Sequence, residues 1–394
     1  MKPVTRPVLA IIAAVSLLST AAPQVSAAAA RSCFGKSATI VGTGTADRLH
    51  GTARADVIVA RGGDDHITGA AANDRVCGNR GDDTLVGGKG DDRIKGGPGQ
   101  DSLSGRTGND VLDGGSGQAD AARFRLATKA VTASLETNTA SGEGSDTLTG
   151  IEYLWGSNFN DTLTGSNGDS GNYLVGAAGD DVIAGLDSSD RVAGGMGNDT
   201  LDGGGGLDLL DHQTLSGPGP IAVDFPGGTV TGLGSDTIAN FEGVNDTPAD
   251  DTFQGDASSH NFLLSGGNDT ADAAGGNDLV VGGGGDDTLD GGPGTDFLSF
   301  LASPIPVTVD LQAGTSSGEG TDTATDFEVV FGSPYDDVLD GSNSDNFFFG
   351  QGGNDVIRGF AGSDHLEGGV GTDDLDGGPG NDTCLEGETI ANCE

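Results

Sequence analysis

The chain has 394 residues, 73 of them glycine, and carries 60 acidic side chains against 18 basic ones, a formal charge of −42. A glycine in a helix interior costs roughly 0.8–1 kcal/mol relative to alanine, so long helices are excluded. With 34% hydrophobic residues under that charge, the chain would stay disordered unless something neutralised its carboxylates. Nucleic acid is excluded as a partner, because its phosphates are bound mainly through Lys and Arg.

In chain order, residues 1–27 read as a secretory signal: Lys2 and Arg6, the apolar run Val8 to Leu18, then Val25-Ser26-Ala27 as a small-residue cleavage site. That run is too short for the ~20 residues that cross a bilayer. No other stretch approaches that length, so the mature chain reads as secreted and extracellular, without membrane insertion. Residues 28–41 are an N-terminal cap containing Cys33. With Cys77, Cys384 and Cys393 the cysteine count is even, which predicts two disulfides in an oxidising compartment. Three pairings are open, and no C-x-x-C spacing supports a zinc site.

Residues 42–118 form a first repeat block. Asp47, Asp56, Asp65, Asp74, Asp83, Asp92, Asp101 and Asp110 stand nine residues apart, and two residues after each comes an aliphatic: Leu49, Ile58, Ile67, Val76, Leu85, Ile94, Leu103 and Leu112. Gly87-Gly88-Lys89-Gly90-Asp91-Asp92-Arg93-Ile94-Lys95 gives the unit in full, G-G-x-G-x-D-x-U-x with U aliphatic. After an insert at 119–175 the frame returns in 176–211 as Asp181, Asp190, Asp199 and Asp208. A second insert, 212–263, leads to block 264–299 with Asp269, Asp278, Asp287 and Asp296. A third, 300–340, leads to block 341–385 with Asp355, Asp364, Asp373 and Asp382, Asn346 filling a missing step, and 386–394 is a C-terminal cap.

The inserts share one plan. Each has a β-prone run (Ala130 to Leu135, Ile221 to Phe225, Pro306 to Leu311) and a Gly-rich turn. A second acidic ladder follows, in which Asp146, Asp236 and Asp322 precede Glu152, Glu242 and Glu328 by six residues. Those glutamates occupy the aspartate slot, so the inserts read as irregular coils of one continuous solenoid.

The expected fold is all-β, a parallel β-roll of stacked nonapeptides. Two units make a flat coil of 18 residues with one short strand on each face, and strands of successive coils pair in parallel at ~4.8 Å. The resulting core is thin. Each buried aliphatic contributes ~2 kcal/mol, whereas ordering a nine-residue backbone costs roughly 9–18 kcal/mol before hydrogen bonding. Stacking also sets aspartate above aspartate. A hard dication resolves the conflict, since it takes six to eight oxygens and Gly-rich turns offer carbonyls beside each carboxylate. Calcium suits the set better than magnesium, which keeps its water, or zinc, which wants His or Cys.

On these residues the chain resembles the repeats-in-toxin (RTX) or haemolysin-type calcium-binding repeat family over residues 40 to 385. The resemblance implies multiple Ca²⁺ ions between units n and n+2, held by Asp side chains and turn carbonyls. One edge would use Asp47, Asp65, Asp83 and Asp101, and the other Asp56, Asp74, Asp92 and Asp110. Later pairs would be Asp181 with Asp199, Asp190 with Asp208, Asp269 with Asp287, Asp278 with Asp296, Asp355 with Asp373, and Asp364 with Asp382. The units at Gly42, Gly51 and Gly69 lack the second glycine, which predicts weak or absent calcium there. Cys384 sits in the last aliphatic slot. A Cys384–Cys393 bridge would cap that open end, and Cys33–Cys77 the other.

Other motifs carry less. The bases before residue 130 are scattered over the repeat positions and read as surface charge balance. Gly314-Thr315-Ser316-Ser317-Gly318 matches G-x-S-x-G but has no strand-to-helix context. The expectation is a secreted, non-enzymatic calcium-binding protein whose roll folds on meeting extracellular Ca²⁺. It would be a structural, adhesive or cell-surface module, with an extracellular polymer as a further partner. The alternative is an accessory to an extracellular hydrolase or polysaccharide-active enzyme.

Overall fold

The computed structural model describes residues 32–168, 170–213 and 219–393. The expected signal at 1–27 lies outside them. Among the described residues all regular structure is strand, as the glycine content requires. The chain is a parallel β-solenoid in which a coil consists of two nonapeptides, one strand in each of two facing sheets. In one sheet Leu49, Ile67, Leu85 and Leu103 are register partners. In the other, Ile40, Ile58, Val76, Ile94 and Leu112 line up. Partners are 18 residues apart, so every aliphatic of the frame stacks on its equivalent. From Ile58 to Leu112 these side chains are wholly buried, and the two rows meet in one continuous core.

Both sheets run on through the inserts. Ala121–Arg123 pairs in parallel with Ser102–Thr107 on one side and Tyr153–Trp155 on the other. The opposite sheet contains a reversal that the nonapeptide frame does not predict. Thr139–Ser141 lies antiparallel between Thr132–Ser134 and Ser145–Thr149, while its two neighbours pair in parallel with Thr162–Thr164 and Val111–Gly115. The second and third inserts repeat this at Thr229–Thr231 and Thr315–Ser317. The β-prone run and the second acidic ladder thus belong to the same sheet, so the chain between them must double back. It turns through left-handed residues at Asn138, Gly228 and Gly314 (φ 57°, 62° and 69°).

The structure pairs the sulfurs of Cys33 with Cys77 and of Cys384 with Cys393, Cα–Cα 5.8 Å in both. Cys384 is the register partner of Leu366 in the final coil. The N-terminal pair differs from expectation in position. Cys33, on a short hairpin, packs with Cys77 and Val59, so the cap clasps the outer face of a sheet.

Candidate metal centre

Each frame aspartate stands at the turn immediately before its strand, and its two carboxylate oxygens have different fates. Oδ1 accepts the backbone N–H of the aspartate one coil earlier. The N–H groups of Asp47, Asp56, Asp65, Asp74, Asp83 and Asp92 donate to Asp65, Asp74, Asp83, Asp92, Asp101 and Asp110 at 2.7–2.9 Å. The same bond joins Asp181 to Asp199, Asp190 to Asp208, Asp269 to Asp287, Asp278 to Asp296, Asp355 to Asp373 and Asp364 to Asp382. These bonds gather the frame aspartates into columns along the two edges of the roll.

Oδ2 has no hydrogen-bond partner and is buried in Asp65, Asp74, Asp83, Asp92, Asp101, Asp110, Asp181, Asp190, Asp199, Asp208, Asp269, Asp278, Asp287, Asp296, Asp355, Asp364, Asp373 and Asp382. It lies against the first glycine of its own unit. A Cβ at Gly69 would stand 2.5 Å from Asp74 Oδ2, and one at Gly368 2.6 Å from Asp373 Oδ2. The second glycine is fixed by the coil below it: at Gly88 and Gly97, φ is +122° and +135°, and a Cβ would collide with the carbonyl oxygens of Ala70 and Asn79. The glycines therefore let backbone carbonyls and bare carboxylate oxygens crowd the same turn.

Leaving a buried charged acceptor unpaired is among the costliest arrangements in a fold. Burial accordingly pushes Asp83, Asp92, Asp181, Asp287 and Asp355 up to about 7. It pushes Asp74, Asp101, Asp110, Asp199, Asp208, Asp269 and Asp278 up to about 6. The donated N–H opposes this rise in every case, and neighbouring carboxylates reinforce it. A hard divalent cation fits these columns: the ligands are oxygen only, the unpaired atoms are anionic, and carbonyls lie beside them.

The raised values give a pH prediction for the cation-free chain. Folded carboxyls then bind protons more tightly than their unfolded value of 3.8, so their stabilisation is complete below about pH 3.8 and is lost as pH rises through 6–7. In chelator, far-UV circular dichroism is expected to show more β structure at pH 5 than at pH 8. The reverse order would contradict the burial of these groups.

Asp47 and Asp56, expected as ligands, differ. Asp47 Oδ2 accepts from Thr43 N at 2.6 Å and its Oγ1 at 2.9 Å, and Asp56 Oδ2 from Thr52 N at 2.7 Å and its Oγ1 at 2.9 Å. These threonines replace the second glycine, and each gives its own turn's carboxylate a hydroxyl and an amide donor. Although burial raises it, the Thr52 and Thr39 hydrogen bonds hold the Asp56 carboxyl below its usual value. Both aspartates thus stand in capped turns, unlike the bare carboxylates that follow them. Asp74, in the unit at Gly69, keeps its bare oxygen despite Ala70 and Ala72. The inserts reuse the cap: Ser157, Thr247 and Ser333 serve Asp161, Asp251 and Asp337, and Ser342 serves Asn346.

Several participants lie outside the ligand set that the nonapeptide frame supplies. Asp120 carries a bare Oδ2 and accepts Asp101 N–H at 2.8 Å. Its offset by one residue from the frame hid it. Glu152, Glu242 and Glu328 accept the N–H of Asp120, Asp208 and Asp296 at 2.8–2.9 Å, filling the aspartate slot with a longer arm. A second ladder runs outside the first in the opposite sense, from Asp82 N to Asp64 Oδ1 (2.9 Å) and from Asp91 N to Asn73 Oδ1 (3.0 Å). The Asp-Asp and Asn-Asp doublets were its visible signal. Ser316, of the G-x-S-x-G match, is buried in a hairpin strand and donates to Asp322 Oδ2 at 2.8 Å.

Comparison with known families agrees with this geometry. A profile described as RTX calcium-binding nonapeptide repeat (4 copies) matches residues 41–76, 77–112, 146–169, 172–210, 265–298, 322–357 and 349–384. The segments cover more than half of the chain. A search of curated proteins returned no match.

Proposed function

Because the chain belongs to the RTX calcium-binding nonapeptide repeat family, we propose that it is a secreted protein whose roll orders on meeting extracellular Ca²⁺. The observation that carries the reading is the set of buried aspartate Oδ2 atoms with no partner, stacked coil upon coil. The ligands would be the aspartates from Asp65 to Asp110, Asp181 to Asp208, Asp269 to Asp296 and Asp355 to Asp382, with turn carbonyls beside them. Bound calcium would supply the missing positive charge. The chain's own part is to hold paired carboxylates one coil apart through the N–H to Oδ1 bonds, and to keep side chains off the glycines that admit the carbonyls.

The same reading makes Cys33–Cys77 and Cys384–Cys393 disulfides of an oxidising compartment, and the protein a structural or adhesive module without catalysis. An outward row of stacked rings, Phe297 to Phe331 at 6.2 Å and Phe331 to Phe349 at 5.0 Å, favours an extracellular polymer as partner. A glycan array separates the adhesive role from that of an accessory to a hydrolase, which would bind one polymer saturably. The calcium reading is tested by far-UV circular dichroism during Ca²⁺ titration of the mature chain, with Mg²⁺ as control. A gain of β signal with Ca²⁺ alone is expected; no gain, or an equal gain with Mg²⁺, would overturn it.

A further inference from the structure

The turn entering Thr252–Gln254 breaks the pattern of its two counterparts. The first and third inserts place Gly156 and Gly332 five residues before Asp161 and Asp337, and a Cβ at Gly332 would stand 2.6 Å from Asp337 Oδ2. The second insert has Asp246 at that position, five residues before Asp251. Instead of empty space, the turn contains a carboxylate.

Carboxylate oxygens of Asp246, Asp251 and Asp269 all lie within 4.8 Å of one another. Asp246 is wholly buried, and Asp251 and Asp269 are 1% exposed. The acidic cluster is not self-sufficient. Neither oxygen of Asp246 nor Oδ2 of Asp269 has a well-aligned hydrogen-bond donor, with only Ser265 approaching Asp246 to offset part of its burial, whereas Asp251 is held by Ile221 N at 2.7 Å and by Thr247 Oγ1 at 2.8 Å. No basic side chain balances them. Beyond residue 130 the chain has only Arg191 and Arg358, which pair with Asp211 and Asp340.

We infer that Asp246, Asp251 and Asp269 together hold one hard divalent cation in a three-carboxylate site, at the seam between the second insert and the third repeat block. It differs from the column sites in chemistry. There, paired aspartates one coil apart are completed by backbone oxygens; here a third side chain occupies a glycine position and adds a full negative charge. Ligand charge count is a main determinant of calcium affinity, so this ion is the last that a chelator removes. It ties Asp246 and Asp251 of the insert to Asp269 of the next coil. Only the identity of the ion rests on the calcium reading of the roll.

The test is native mass spectrometry of the full mature chain, loaded with Ca²⁺ and exposed to graded chelator, beside Asp246→Asn and Asp246→Gly. The second variant restores the residue of the sister turns. The wild type is expected to retain one ion at a chelator concentration that strips the rest. Both variants are expected to lose that ion at a chelator concentration at least about tenfold lower, since loss of even an outer-shell partner weakens metal sites by 10–100-fold. Their remaining ion count should be unchanged. Identical retention in wild type and both variants would overturn the site. So would an Asp246→Asn chain that keeps every ion and is more stable in chelator, which would mean that Asp246 carries a proton. A wild type that binds no ion would overturn the calcium reading as well.

Discussion

Replacing Asp92 by asparagine is expected, if calcium occupies the columns as proposed, to remove two ions, one shared with Asp74 and one with Asp110, while the coil-to-coil hydrogen bond survives. Asparagine keeps an oxygen to accept the Asp74 N–H, which now donates to Asp92 Oδ1 at 2.8 Å, but it cannot supply the second anionic oxygen. The chain already uses asparagine in this slot at Asn346, where Ser342 N donates to its oxygen at 2.8 Å. Asp92 has Gly87 and Gly88 in its turn and no such cap. A ligand present at 100 times its dissociation constant stabilises the folded state by about 2.7 kcal/mol, so losing two costs about 5 kcal/mol at that calcium level. Asp92→Ala is expected to cost about 1–3 kcal/mol more, because it also strands the buried Asp74 N–H. Urea unfolding at fixed calcium together with ion counting checks both variants. Full stoichiometry in Asp92→Asn would show that the column is not the binding site.

Phe253→Ala is expected to destabilise by a similar amount through a different route. Phe253 is 1% exposed, fills a slot that is aliphatic in most coils, and has Ala271 as its register partner. The bulky ring beside a small neighbour suggests that volume is conserved along the row. Truncating a buried Phe typically costs 3–5 kcal/mol, and the cavity should loosen adjacent coils first, since a solenoid is stabilised by nearest neighbours. At saturating calcium the ion count should stay at the wild-type value, and faster amide exchange should be confined to the coils around Thr252–Gln254. Loss of ions along the whole chain would contradict this locality.

These two variants separate the parts of the structure that were legible in the sequence from the parts that were not. The stacked rows were legible because an aliphatic two residues after each aspartate has one inward direction in a coil of fixed length. The continuity of the sheets through the inserts followed from Glu152, Glu242 and Glu328 standing in the aspartate slot. Hidden from the frame were features set by contacts between coils. The antiparallel strand Thr139–Ser141 arises because two segments far apart in the repeat share one sheet. The division of labour within each carboxylate, one oxygen for a backbone N–H and one left bare, depends on atoms 18 residues away. Thr43 and Thr52 looked like mere gaps in the glycine pattern, yet they act as caps. Asp246 is invisible to the repeat because it lies outside the aspartate step.

The proposed function requires one physical balance: a core too thin, and buried carboxylates too many, for the roll to persist without cations. Small-angle X-ray scattering of the mature chain at pH 8, with calcium and then with excess chelator at equal ionic strength, weighs that balance most directly. Chelation is expected to expand the chain towards an unfolded radius of gyration of roughly 70 Å, and added Ca²⁺ to restore the compact form. An unchanged scattering curve in chelator would contradict it, showing that the aliphatic rows and hydrogen-bonded ladders hold the coils together by themselves.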